Sequence, residues 1–191
     1  MDEIKLEKIN KHFGEKQVLS DLSLAVPAGA RVCLTGASGS GKTTLLNIIM
    51  GLVKPDSGTV SGVPQKIAAV FQEDRLPEYV SAFANVRFVT GKSMPAREIT
   101  ALLGMLGLEG SEYCRSAQLS GGMKRRAAVA RALAAESELV IMDEPFSGLD
   151  AETKSRVIEV INRLTEGKTF ICVTHDPADA AALGATAVAI R

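Results

Sequence analysis

Gly36-Ala37-Ser38-Gly39-Ser40-Gly41-Lys42-Thr43 joins a short apolar run, Arg31 to Thr35, to an apolar stretch of helical character, Leu45 to Met50. That order admits few folds, because such a loop has meaning only where a strand ends and a helix begins. Glycines let successive backbone N–H groups converge on phosphates without side-chain obstruction, and the helix N-terminus adds a favourable dipole. In this setting Lys42 is expected to bridge the β- and γ-phosphates of a nucleotide, and the Thr43 hydroxyl to reach Mg²⁺. Gly36, Ala37, Ser38, Gly39, Ser40, Gly41 and Thr44 complete the expected nucleotide contacts.

Around the loop, apolar strands alternate with helices. Ile4 to Ile9 and Leu22 to Val26 alternate apolar and polar residues, which predicts half-buried strands of an antiparallel region. Pro27-Ala28-Gly29 and Lys54-Pro55-Asp56-Ser57-Gly58 read as turns, and Lys66 to Phe71 as a short strand. From about 77 to 120 the character is helical: Ile99, Leu102, Leu103 and Leu106 share a face, and Gly107 stands where a helix C-terminus takes a left-handed residue. A helix to about Ala135 precedes the strand Leu139 to Met142. A second, Ala151 to Leu164, carries Glu152–Arg156 and Glu159–Arg163 pairs and precedes the strand Thr169 to Val173. Pro177 to Leu183 and Thr186 to Ile190 read as a last helix and strand. The expected fold is α/β: a P-loop NTPase core with a mainly parallel sheet, an N-terminal antiparallel β region and an inserted α-helical lobe. The whole of 1–191 is expected to form one domain, with the core at about 1–76 and 121–191 and the lobe at about 77–120.

Charge excludes some functions. The chain has 22 basic and 22 acidic residues, so no global field draws it to nucleic acid or an anionic membrane. Lys124-Arg125-Arg126 is too short a run to reverse that, and reads as the polar face of a helix. No apolar stretch approaches the roughly 18 residues that span a bilayer, and Met1 to Lys5 has no signal-peptide character. Cys33, Cys114 and Cys172 lack metal-ligand spacing; Cys33 and Cys172 read as small buried hydrophobes, in keeping with a reducing cytoplasm.

The run Leu139-Val140-Ile141-Met142 delivers Asp143 and Glu144 at a strand's C-terminal end, the edge where open parallel sheets bind ligands. Asp143 is placed to hold Mg²⁺ through water, and Glu144 to polarise an attacking water.

The phosphate loop, Gln72, Leu119-Ser120-Gly121-Gly122-Met123, Asp143-Glu144, Ser147-Gly148-Leu149-Asp150 and His175 follow one another in that order. The pattern resembles the ATP-binding subunit of an ATP-binding cassette (ABC) transporter over essentially the whole chain, with Leu-Ser-Gly-Gly as the discriminating element. The resemblance implies an ATPase that uses ATP and Mg²⁺. It casts Glu144, His175 and Gln72 as catalytic, with Thr43, Gln72 and Asp143 around the metal. Phe13 falls where the family stacks an aromatic on adenine. Ser120, a helix N-cap, with Gly121, Gly122 and Asp150, would contact the nucleotide of a second ATPase subunit, a homodimer partner or close paralogue. Met123 replaces the family's usual glutamine without touching the glycine amides.

The resemblance further implies transmembrane permease partners, allows a solute-binding protein, and assigns no nucleic acid. It places the chain in the cytoplasm, peripheral on the inner face of the membrane. Val70 to Pro77 is similar to the same segment in nitrate, sulfonate and taurine importers, one residue shorter. With Ser81 to Val86 it is expected to form the groove for a permease helix. The closing hairpin and helix common in the family are missing after His175. The rival expectation is an ABC-type ATPase of DNA repair or translation; those carry long coiled coils or paired cassettes, and neither pattern is found here.

Overall fold

Ile4, Leu6, Ile9, Leu19 and Val26 are almost wholly buried between exposed or half-buried neighbours, the alternation of a pleated hairpin covered on one face. The protein is described from a computed structural model over residues 2–190. Strand β1 (Ile4–Phe13) pairs antiparallel with β2 (Lys16–Val26) on one edge and β4 (Ser57–Ser61) on the other. Bulges interrupt the β1–β2 register, with Lys8 and Asp21 left-handed at φ 51° and 45°. Both long strands extend beyond the alternating segments that predicted them, and Ser57-Gly58, expected in a turn, opens β4. An edge strand whose most buried side chain is the half-buried Val60 leaves no hydrophobic pattern to read.

The second sheet is wholly parallel. It contains β3 (Arg31–Thr35), β5 (Ile67–Val70), β6 (Leu139–Asp143), β7 (Thr169–Val173) and β8 (Thr186–Ala189), in the order β5-β6-β7-β3-β8. Every residue of β6 and β7 is buried, as expected of strands covered on both faces. Leu34, Leu139, Ile141, Ile171 and Val173 face helix α1 (Lys42–Ile49) and the antiparallel sheet. Their neighbours Cys33, Val140, Met142, Phe170 and Cys172 join the opposite core with α4 (Gly121–Ala134) and α5 (Ala151–Leu164). Full burial of a side chain such as Phe170 contributes about 2–3 kcal/mol.

Between β5 and α4 lie α2 (Ala82–Thr90), α3 (Ala96–Met105) and a short 3₁₀ turn at Ser116–Gln118; the rest of 77–120 is loop, less helical than its composition predicted. Ala82, Val86, Ile99, Leu102, Leu103 and Leu106 are buried with α4 in one core. Helix α6 (Pro177–Ala182) closes toward β8.

Arginines contradict two expectations. Neither Glu152–Arg156 nor Glu159–Arg163 forms an ion pair among the described residues. Instead Arg156 donates to Met105 O (2.7 Å) and Gly104 O (2.6 Å), and Arg163 contacts Met105 Sδ. Lys124-Arg125-Arg126 is no solvated face. Arg125, 7 % exposed, donates to Phe71 O (2.7 Å) and Gln72 O, and its Nε lies 3.2 Å from Asp74 Oδ1. Arg126 donates to Leu106 O and Gly107 O, and Arg131 to Arg75 O and Asp74 O. Helix ends and loops leave carbonyls without intrahelical donors, and a planar fork can satisfy two at once, which a carboxylate partner would forgo. Among the described residues no helix is long and apolar enough to cross a membrane.

Candidate active site

Gly36 leaves β3 at φ 145°, and Gly39 and Gly41 follow in left-handed conformations, φ 79° and 89°. A Cβ on Gly36 would collide with Ile190 O and stand 2.9 Å from Ser40 Oγ; one on Gly41 would stand 2.6 Å from Leu19 Cδ2 and 2.8 Å from Val18 O. Only glycine fits this cradle. Helix α1 opens on Gly41 with no side-chain cap, so its first amides are offered to an acceptor outside the helix. Lys42 folds its ammonium over the loop, donating to Gly36 O (2.9 Å) and Ala37 O (2.8 Å), and Ser40 Oγ is buried with no partner among the described residues. Uncapped amides, a lysine and an orphaned hydroxyl around one glycine loop fit a polyphosphate.

Opposite the loop, Thr43 Oγ1 donates to Asp143 Oδ2 at 2.7 Å. Asp143 is 4 % exposed, and burial pushes its carboxyl above the usual range against the pull of that hydrogen bond. An all-oxygen donor pair of this kind suits Mg²⁺. Glu144 follows in a left-handed conformation, φ 53°, its amide donating to Val173 O (3.0 Å). Its Oε1 lies 3.0 Å from His175 Nε2, an ion-pair distance when the ring is protonated. The angle is not that of a hydrogen bond, so the oxygen stays buried without a donor among the described residues. Burial raises the Glu144 carboxyl too; His175 opposes the shift and Asp143 adds to it.

The C-terminal ends of β3, β5, β6 and β7 thus converge on one cleft of about 310 Å³. Ser38, Gly39, Gly41, Lys42, Thr43, Thr44, Gln72, Asp143, Glu144 and His175 line it. Lys16 and Val18 from β2 also line it and were missed. No local pattern marks them, since Lys16-Gln17-Val18-Leu19-Ser20-Asp21 follows the Gly14-Glu15 turn without alternation. Phe13 does not line the cleft but pairs in register with Lys16, and is 53 % exposed. Lys11 Nζ lies 5.4 Å from its ring centroid. The backbone there is held by Asp56, which accepts His12 N–H (2.6 Å) and Lys11 Nζ (2.7 Å); these bonds, Lys11's first, depress its carboxyl to about 2.

Ser120, Gly121, Gly122 and Asp150 do not line this cleft. Ser120 Oγ accepts Met123 N–H at 3.3 Å and caps α4, while Asp150 accepts Thr153 N–H at 2.8 Å and caps α5. A Cβ on Gly121 would meet nothing within 4 Å; one on Gly122 would press on Gly148 O and Leu149 Cδ2 at 3.2 and 3.3 Å. The Ser120–Gly122 segment therefore lies beside Ser147–Asp150, outside the cleft.

The profile of the family described as ABC transporter matches residues 19–147. The chain is 35 % identical to the aliphatic sulfonates import ATP-binding protein 1 of Paracoccus denitrificans, over 98 % of this chain and 79 % of that protein. It is 39 % identical to the sulfate/thiosulfate import ATP-binding protein of Escherichia coli K12, over 93 % of this chain, and 40 % identical to an Fe(3+) ions import ATP-binding protein of Pseudomonas fluorescens, over 94 %. It spans about half the length of those two relatives, 54 % and 56 %. Among solved structures, a dimeric ATP-binding cassette in a post-hydrolysis state with ADP and Pi superposes with TM-score 0.86 at 30 % identity, covering 98 % of this chain and 94 % of that one.

Proposed function

The chain belongs to the ABC transporter ATP-binding family, and on that premise we propose that it is the ATP-hydrolysing subunit of a membrane importer. One observation carries the reading. The phosphate loop, Gln72, Asp143, Glu144 and His175 share a cleft, whereas Ser120–Gly122, of matching anion-binding chemistry, stand exposed or half-exposed outside it. Two half-sites in one chain call for a second copy to join them, as the related dimeric cassette with ADP and Pi supports.

In the proposed cycle the triphosphate lies along the uncapped start of α1, and Lys42 exchanges two loop carbonyls for β- and γ-phosphate oxygens. Lys16 adds a cation at the rim, and Phe13 stacks on the base. Thr43, Asp143 and Gln72 would hold Mg²⁺, which when bound would supply charge neutralisation to the triphosphate. Glu144 accepts a proton of the attacking water; its raised affinity for protons makes it a better base near neutral pH than an ordinary glutamate. His175 donates to the γ-phosphate, and the partner subunit's Ser120 and the partner subunit's Gly122 stabilise the opposite side of the transferring group. Asp150 crosses the same interface.

The helices between β5 and α4 form the proposed lobe. A groove lined by Leu52, Phe71, Pro77, Phe88 and Val89 supports docking of a cytoplasmic permease helix. Its α2 wall is Asn85, Phe88 and Val89; Asn85 comes from the expected Ser81–Val86 segment, whereas Ala82 and Val86 are buried against the core. The names of the relatives favour import of an oxyanion or metal ion, with the membrane's inner face as the working location.

The test is equilibrium binding and turnover of ATP by the purified chain. Lys42→Ala is expected to lower turnover by about 10²-fold or more. A variant that keeps full binding and turnover sinks the assignment.

A further inference from the structure

Of the two chain neighbours of His175, one is bound by a single ammonium directly and the other through a carboxylate that the same ammonium holds. Lys154 stands in the first turns of α5, where its amide donates to Asp150 O at 2.9 Å. Its Nζ lies 2.7 Å from Asp176 Oδ2 and in ion-pair contact with Asp179 Oδ1. Asp179 is 2 % exposed, and its other oxygen accepts a 2.5 Å hydrogen bond from Thr174 Oγ1. Thr174 Oγ1 in turn accepts Asp176 N–H at 3.2 Å. The imidazole between these anchored residues is exposed on one side and reaches Glu144 Oε1 on the other, at 3.0 Å. A continuous path therefore leads from Asp150, which caps α5 beside the second half-site, through Lys154 to the backbone on each side of His175.

A surface lysine usually contributes little through an ion pair, because its partner stays hydrated. Lys154 differs on two counts: Asp179 has left water almost completely, and the ammonium serves two carboxylates, one on the residue after His175 and one that accepts a hydrogen bond from the residue before it. Removing the cation would leave a buried carboxylate without its counter-charge, and the threonine beside His175 would lose a fixed acceptor. Nothing else among the described residues makes a side-chain bond to Asp179.

We propose that Lys154 is a positioning residue for His175, whose paired bonds to Asp179 and Asp176 pass the placement of the Ser147–Asp150 segment to the imidazole. This rests on the ATPase reading for its consequence at the γ-phosphate, but not for the clamp itself. When a second copy meets Ser147–Asp150, any displacement of the start of α5 carries Lys154 with it, and the histidine follows.

The chain has two histidines, so imidazole NMR in a His12→Gln background reads His175 alone. Lys154→Met is expected to shift or broaden the His175 ring resonance and to lower kcat about tenfold with the KM for ATP unchanged. Lys154→Arg restores both, and Asp179→Asn, which keeps an acceptor for Thr174 but loses the charge, reproduces the Lys154→Met pattern. In a His175→Ala background the Lys154 effect on kcat disappears. An unaltered His175 resonance overturns the clamp, as does a loss of kcat that adds to that of His175→Ala. Absence of turnover in the unaltered chain defeats the ATPase reading instead, and leaves the resonance to decide the clamp.

Discussion

Glu144 concentrates two costs at one position: a left-handed backbone, φ 53°, and a carboxyl whose Oε1 is buried without a donor among the described residues. A backbone of this kind in a non-glycine residue costs on the order of 1–3 kcal/mol and persists only where the surroundings impose it, here through the hydrogen bond its N–H donates to Val173 O. Burial also raises the proton affinity of Glu144 and of Asp143 in the folded state. That contribution to stability is present below the unfolded pKa values and is lost as pH rises through the raised folded ones, so at pH 7 both groups work against the fold. Glu144→Gln should therefore raise Tm by about 2 °C at neutral pH, a gain that calorimetry near pH 4 no longer finds. The same variant should lower kcat by about 10²–10³-fold while ATP binding is kept. A drop in Tm at pH 7, or unchanged turnover, contradicts the role assigned to the residue. The acid limb of kcat against pH should also lie above the range of an ordinary glutamate, because the base is protonated sooner as pH falls.

At the scale of elements, α4 joins two tasks. Its start, capped by Ser120, presents the exposed glycine, and one turn later Arg125 grips the carbonyls of Phe71 and Gln72. Arg125→Ala is expected to destabilise the protein by about 3 kcal/mol in urea unfolding, with Arg125→Lys recovering little, since an ammonium cannot reproduce the fork. Recovery by lysine would show that charge alone matters. This grip was illegible in the sequence. Three basic residues at the start of a helix look the same whether they face water or a neighbouring loop, and only tertiary placement brings Phe71 within reach. Strand β4 was hidden for a related reason, having almost nothing apolar to bury. By contrast β6, β7 and α5 could be read almost to the residue, because long apolar runs and a one-sided helix admit few other arrangements. The cleft residues were legible where motif and strand end coincide, as at Lys42, Asp143 and His175. Lys16 and Val18 arrive from a different sheet, which local patterns do not encode.

For the molecule as a whole, the arrangement separates folding from assembly. A side chain at Gly121 would meet nothing within 4 Å, and α4 has no acidic residue in its first turn. Gly121→Asp should thus leave Tm within about 2 °C, since a carboxylate there favours the helix dipole. It would also set a negative charge where a second copy's triphosphate is proposed to sit, so ATP-dependent dimers should vanish in sedimentation velocity and kcat should fall about 10²-fold. Dimers that persist in this variant rule out the shared-site arrangement. The arginine bonds of α4 and α5 have a consequence of another kind. Most of them end on peptide oxygens, so neither end gains or loses a proton in the range where enzymes work, and dissolved ions compete poorly for so directional a contact. The joints that these arginines make with the loop after β5 and with the end of α3 should then hold their shape through acidification or brine that would loosen carboxylate bridges.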